Sequence, residues 1–314
     1  MSGTTTTGSA PAPARLRWED AIPLIPTLLV SAWWIRDLSF QWASLVEFRF
    51  GWMVVMLSAF LFWERWPTRP RDDTPPSMGL VLFLALAGVP LIASAELYKW
   101  GIARVATSSM LLSFGSTLFI TANILAVRGW KTWRHFAFIL IFFYVAIPIP
   151  KIIWDPIVQG LQSFVAAVNV ELLNLSGIPA ERQGHVIQLP NCKVGVNEAC
   201  SGIRSLQSSI MAALFVGDLT LRQPWWKVFF LAAGVFLAVL GNLARSMFLS
   251  VTAYRHGADA LKSVHDTAGW TVLLFTFVGV AALAWVMTKL ERNFSQKLAE
   301  AQASVPETKD RLLP

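Results

Sequence analysis

Charge is scarce in this sequence. Asp, Glu, Lys and Arg make up 14% of its 314 residues, against about a quarter in an average soluble domain. That shortage excludes an ordinary solvated surface. Cysteine is scarcer still: Cys192 and Cys200 are too few for a disulfide framework. There is no phosphate-cradling Gly-rich loop, no dinucleotide fingerprint and no His-Glu-x-x-His pair. Nucleotide-driven transport and zinc proteolysis thereby lose their usual sequence support, and neither a metal nor an organic cofactor is expected. The net charge of +7 comes without a basic stripe interleaved with aromatics, so no nucleic-acid partner is expected either. Residues 1–17, rich in Thr, Ser, Ala and Pro, lack the compact apolar stretch of a cleavable signal peptide.

What is present is apolar surface, 55% of the residues, in runs near the ~20 residues that cross a hydrocarbon core. Several of the fifteen Trp stand at run edges, where an amphipathic ring suits the headgroup level. They include Trp33, Trp34, Trp52, Trp100, Trp130, Trp225 and Trp226. The expected fold is all-α, a polytopic transmembrane bundle of about eight spans. These lie near 21–39, 46–63, 78–97, 106–127, 135–150, 201–218, 228–250 and 267–288. Residues 154–176 are apolar but carry Asp155, Gln159, Gln162, Asn169, Glu171 and Asn174, which suits an interfacial helix. A short extracytoplasmic hairpin or loop is expected over 177–199, before the sixth span. Glu96, Tyr98 and Lys99 read as interface anchors at a helix end.

The domain plan that follows is a disordered cytoplasmic tail over 1–17, an integral membrane domain over 18–290, and a polar cytoplasmic tail over 291–314. With the N-terminus inside, fifteen of the 26 basic residues fall on the cytoplasmic side. That is the sign the positive-inside rule requires. An even number of spans puts both termini in the cytoplasm and 154–200 outside.

Three segments carry chemistry. In Asn197-Glu198-Ala199-Cys200-Ser201-Gly202-Ile203-Arg204 the outer loop meets the sixth span. A cysteine at a helix N-terminus faces unpaired N–H groups and the positive end of the macrodipole, which favour thiolate. Arg204 follows one turn later and adds a cation, while Ser201 and Gly202 leave room for a substrate backbone. The bland alternative for Cys200 is a small hydrophobe at a helix start. In Gly241-Asn242-Leu243-Ala244-Arg245-Ser246, a charge lies inside the seventh span, with Asn242 three residues before Arg245 on the same face. Such a charge usually faces a polar interior or a partner; the alternative is snorkelling to the headgroups. In Val264-His265-Asp266-Thr267, His265 can exchange protons near neutral pH. Asp266 is a candidate to orient it, and the alternative for His265 is a polar surface residue. Alternating spans bring Cys200, Arg245 and His265 to one membrane face. A thiolate can attack a peptide carbonyl, an imidazole can move the proton, and a guanidinium can stabilise the tetrahedral oxyanion.

These segments resemble the exosortase/archaeosortase family. The likeness runs over roughly 20–290, with Glu198-Ala199-Cys200-Ser201-Gly202 its most specific part and Gly184-His185-Val186-Ile187-Gln188-Leu189-Pro190 leading in. It implies a membrane-embedded cysteine transpeptidase, unrelated in fold to sortase, with Cys200, Arg245 and His265 as its triad. The implied partners are secreted proteins ending in a short Pro-Glu-Pro-type motif, a transmembrane helix and a basic cluster. The implied setting is the bacterial inner membrane, with the site at the periplasmic face and a tie to exopolysaccharide export. A scaffold or transporter in polysaccharide export, and a protease that releases its substrate to water, are the rival readings. Cys192 is expected to be incidental, the alternative being a disulfide with Cys200. His185 is expected to be a hairpin or surface residue.

Overall fold

The structure is a computed structural model that describes residues 22–70, 77–195, 202–257 and 259–303, with backbone alone at 202–204, 262, 265–266 and 301–303. Its helices are α1 (Ile25–Ser44), α2 (Gly51–Arg65), α3 (Met78–Gly101), α4 (Ala106–Phe143), α5 (Lys151–Leu175), α6 (Gly202–Thr220), α7 (Pro224–His256) and α8 (Ala260–Ala303). Three short strands, β1 (Glu181–Gln183), β2 (Val186–Gln188) and β3 (Lys193–Gly195), stand between α5 and α6. The protein is an all-α polytopic membrane protein in architecture. Among the described residues, six segments are long and apolar enough to cross a bilayer: Val46–Arg65, Met78–Gly101, Ala106–Ala146, Lys151–Leu175, Pro224–His256 and Thr267–Glu300. The segment expected to be interfacial is thus a helix that could itself span. Helices α1 and α6 do not reach the same apolarity.

The chain forms two compact units, one ending at Pro150 and one beginning at Lys151. In the first, α4 is not one rod. Gly129 has φ 75° and ψ −179°, a conformation open essentially only to glycine. There the chain turns back on itself. Tyr144 Oη donates to Thr117 Oγ1 at 3.0 Å and Trp133 Nε1 donates to Thr121 Oγ1 at 3.2 Å. A straight helix would hold the first pair about 40 Å apart. The 41-residue apolar segment is therefore a helical hairpin, as the separate runs 106–127 and 135–150 in the sequence suggest.

Two expectations for this unit need correction. Trp34 is not at a headgroup edge: it is 2% exposed, and its indole donates to Ser113 Oγ at 2.8 Å. An indole N–H with a partner inside the bundle has no need of the interface. Nor is Lys99 an interface anchor. Its ammonium is buried 2.7 Å from the Asp37 carboxylate and 2.8 Å from Glu96. Ser109 Oγ also donates to Asp37, at 3.2 Å. Buried charges of opposite sign stabilise one another only when paired in this way.

In the second unit, one stripe of α5 (Val165, Ala166, Val170, Leu173) packs with Ile187, Leu189 and Val194 of the sheet and with Leu249, Ala253 and Ala268 of α7 and α8. The sheet is antiparallel in the order β1-β2-β3. Gln183 pairs with Val186 across a two-residue turn, Gly184-His185, in which Gly184 has φ 66°. The expected hairpin is present, extended by a third strand, and His185 sits in its turn. Asn191 Nδ2 donates to the Tyr254 carbonyl at 2.8 Å, fastening the sheet to the end of α7. At the opposite end of α7 the Glu291 carboxylate accepts from the backbone N–H of Gln223 at 2.6 Å and of Arg222 at 3.1 Å. It thereby satisfies donors that a helix start leaves unpaired. Helix α8 runs on to Ala303, so the polar tail expected over 291–314 is helical over its first part. That stretch holds neither Gly nor Pro and is rich in good helix formers.

Candidate active site

Short connections at 221–223 and 257–259 make α6, α7 and α8 successive antiparallel helices. Their register follows from close contacts. A Cβ on Gly234 would stand 2.9 Å from that of Ala213, and one on Gly217 would stand 2.8 Å from the Phe230 ring. Stepping the two helices by equal counts in opposite directions brings Arg245 of α7 level with Gly202, the first residue of α6. On the other side, Gly241 faces Val272 and Phe275 of α8. A Cβ on Gly269 would lie 3.5 Å from Arg245 Nη2 and 3.8 Å from its Cζ. The guanidinium thus lies against the bare backbone of α8 at Gly269. Position 265 is one turn before Gly269 on the same stripe of that helix.

Arg245 and Asn242 are where the sequence reading requires an inward face. They are 8% and 5% exposed, so Arg245 does not snorkel outward. Glu198, Cys200 and Ser201 lie outside the described residues, between β3, which ends at Gly195, and α6, which begins at Gly202. Arg204 belongs to the first turn of α6, and His265 and Asp266 to the second turn of α8; only their backbone is described. The described residues therefore bring together Arg245, Asn242, the start of α6 and the 265–269 turn of α8.

Beyond Asn242, residues the sequence reading did not place in the site also gather here. Asn242, Ser246 and Ser250 recur every fourth residue on α7, and Asn169 is fully buried on α5, whose neighbouring residues pack with Leu249 and Ala253. Asn169 Oδ1 and Nδ2, Asn242 Oδ1, Ser246 Oγ and Ser250 Oγ have no hydrogen-bond partner among the described residues. Each unpaired buried polar group costs about 1–3 kcal/mol. Such groups belong to a polar interior, not to a lipid-facing surface. Their four-residue spacing was the available signal. Beside Arg245, α7 and α8 part to leave a groove of about 680 Å³, apolar apart from that guanidinium and two threonine hydroxyls. Cys192 is a free cysteine, not a disulfide partner, and burial pushes its thiol pKa up.

The described residues thus define a polytopic helical membrane protein with a buried arginine and asparagine beside the start of α6. A match to the transmembrane exosortase family (Exosortase_EpsH) covers residues 42–282. The chain belongs to that family, which suggests a membrane transpeptidase role in sorting. No curated protein and no solved structure matches it.

Proposed function

We propose that the chain is a cysteine protease/transpeptidase that cleaves the C-terminal sorting tails of secreted proteins and passes them to an acceptor. The observation that carries this reading is the layer in which Arg245 stands level with Gly202 and against Gly269, one turn from position 265. Cys200 attacks the scissile carbonyl, and the C–N bond breaks to leave a thioester. His265 takes the thiol proton and returns it to the departing amine. Arg245 stabilises the oxyanion; it cannot be the base, because guanidinium stays protonated. An acceptor nucleophile then attacks the thioester and gives its proton to His265, which frees Cys200. Arg204 lowers the thiol pKa, Asn242 holds the guanidinium's surroundings polar, and Asp266 orients the imidazole. Ser201 and Glu198 shape the approach.

In this reading 18–290 is the catalytic domain in the bacterial inner membrane, both termini are cytoplasmic, and the site faces the periplasm. The sorted proteins carry a short motif, a helix and a basic cluster, and their attachment accompanies exopolysaccharide export. The test is Cys200→Ala in intact membranes with a tailed substrate. Tail removal should stop while insertion and protein level stay normal. Full processing without Cys200 would refute the nucleophile and leave the export-scaffold reading. Mass spectrometry of the new substrate C-terminus separates transfer, a mass addition, from hydrolysis.

A further inference from the structure

We infer that the groove between α7 and α8 is the subsite that receives the apolar helix following the cleavage point of the substrate. The inference rests on the proposed function and adds where, and by which residues, the tail is held. The walls are two parallel rows at helical spacing: Leu240, Ala244 and Phe248 on α7, and Thr267, Thr271 and Phe275 on α8. Eight residues of helix measure about 12 Å, or two turns. All six wall residues are exposed along the groove. The floor is closed by Gly241, where a Cβ would stand 3.3 Å from Val272 Cγ1.

Both helices belong to segments that can cross the bilayer. A peptide lying against them there must satisfy its own backbone groups, which leaves a helix as the form it can take. Small side chains where two helices meet let a third backbone approach closely, and Ala244, Thr267 and Thr271 supply them. A lipid tail requires neither helical spacing nor small residues.

What ties this groove to the substrate is Arg245, which lies in its lining and in the site layer at once. Leu240, Gly241, Thr271 and Phe275 lie to one side of Arg245, toward the start of α7, and Phe248 and Thr267 lie to the other. A chain whose reacting carbonyl meets the guanidinium must therefore continue into the first side with the residues after the cut. The apolar tail helix starts there, and the guanidinium's charge meets the carbonyl and any acidic residue of the motif just before it.

The test places a photo-crosslinking amino acid at Thr271, with Phe277 as the control on the outer surface of α8, in membranes carrying Cys200→Ala enzyme and tailed substrate. Capture of the tail helix from 271 and not from 277 is expected. Capture at 271 of lipid only, or of a second copy of this chain, overturns the inference, as does equal capture from both positions. In the active enzyme, Thr271→Trp fills the groove and should raise KM for the tailed substrate at least tenfold with kcat changed less than threefold. An unchanged KM overturns the inference, and so does a loss confined to kcat. Failure of the proposed function is read separately: a tail captured from 271 by a wild-type enzyme that never cleaves it sinks the enzyme assignment but not the groove.

Discussion

If Gly269 is the seat on which the Arg245 guanidinium lies, size at position 269 should control activity while helix stability follows a different order. Alanine adds only a Cβ, at 3.5 Å from Nη2 and 3.8 Å from Cζ, which is ordinary van der Waals contact. In a helix interior that change also stabilises by about 0.5–1 kcal/mol. Gly269→Ala should therefore process tails within twofold of wild type and melt slightly higher. Leucine carries three further carbons into space the guanidinium now occupies, and the arginine must move. A displacement of about 1 Å at a reacting centre can cost on the order of 10²-fold, which is about 2.7 kcal/mol of transition-state stabilisation. Overpacking adds about 1–3 kcal/mol of lost stability. Gly269→Leu should fall to about a hundredth of wild-type processing, close to Arg245→Met, for which loss of an oxyanion donor costs about 10²–10³-fold. The assay is tail cleavage in membranes at matched amounts of folded enzyme, with folding followed by thermal melting in detergent. The reasoning is refuted if Gly269→Leu cleaves like wild type, or if Gly269→Ala is as impaired as Gly269→Leu.

Other expectations concern the scaffold. Asp37→Asn removes the 2.7 Å partner of the buried Lys99 ammonium but leaves Glu96 at 2.8 Å. It should therefore destabilise by less than the roughly 3–5 kcal/mol of an uncompensated buried charge, and adding Glu96→Gln should bring the loss up to that range. Glu291→Ala removes the acceptor at the start of α7 and should cost about 1–2 kcal/mol in the same melt, with Glu291→Gln in between. Because burial raises the Cys192 thiol, thiolate there forms only above the ordinary thiol range. Its alkylation should be slow at neutral pH and climb as pH rises through that raised pKa, and Cys192→Ser should leave tail processing unchanged.

Local features were legible in the sequence, and features made by distant partners were not. Apolar run length gave most helices to within a few residues, and the reversal at Gly129 showed as a basic interruption between two runs. The hairpin showed through the alternation of 185–190 and the glycine before it. Arg245 and Asn242 showed because a charge and an amide three apart inside an apolar run must share a polar face. By contrast, Trp34 and Lys99 sit at run edges and look like interface residues. Their true partners, Ser113 and Asp37, lie on other helices. Glu291 looked like the start of a polar tail because nothing local distinguishes a carboxylate in water from one capping a helix 69 residues away. In the sequence Asn169 is one polar residue among six in an apolar segment, with nothing local to mark it as the one that is fully buried.

The Glu291 contact also sets an order of events during synthesis. The backbone donors at Arg222 and Gln223 emerge from the ribosome 69 and 68 residues before the carboxylate that completes them. At about 5–20 residues per second, that end of α7 waits roughly 3–14 s, with α8 still being made, before its last partner exists. The helix carrying Arg245 is thus made before α8 and has its far end locked only after most of α8 exists. A ribosome that stalls or terminates anywhere between 223 and 290 releases a chain that already carries the site residues up to that point but not the contact that closes the far end of the helix bearing Arg245.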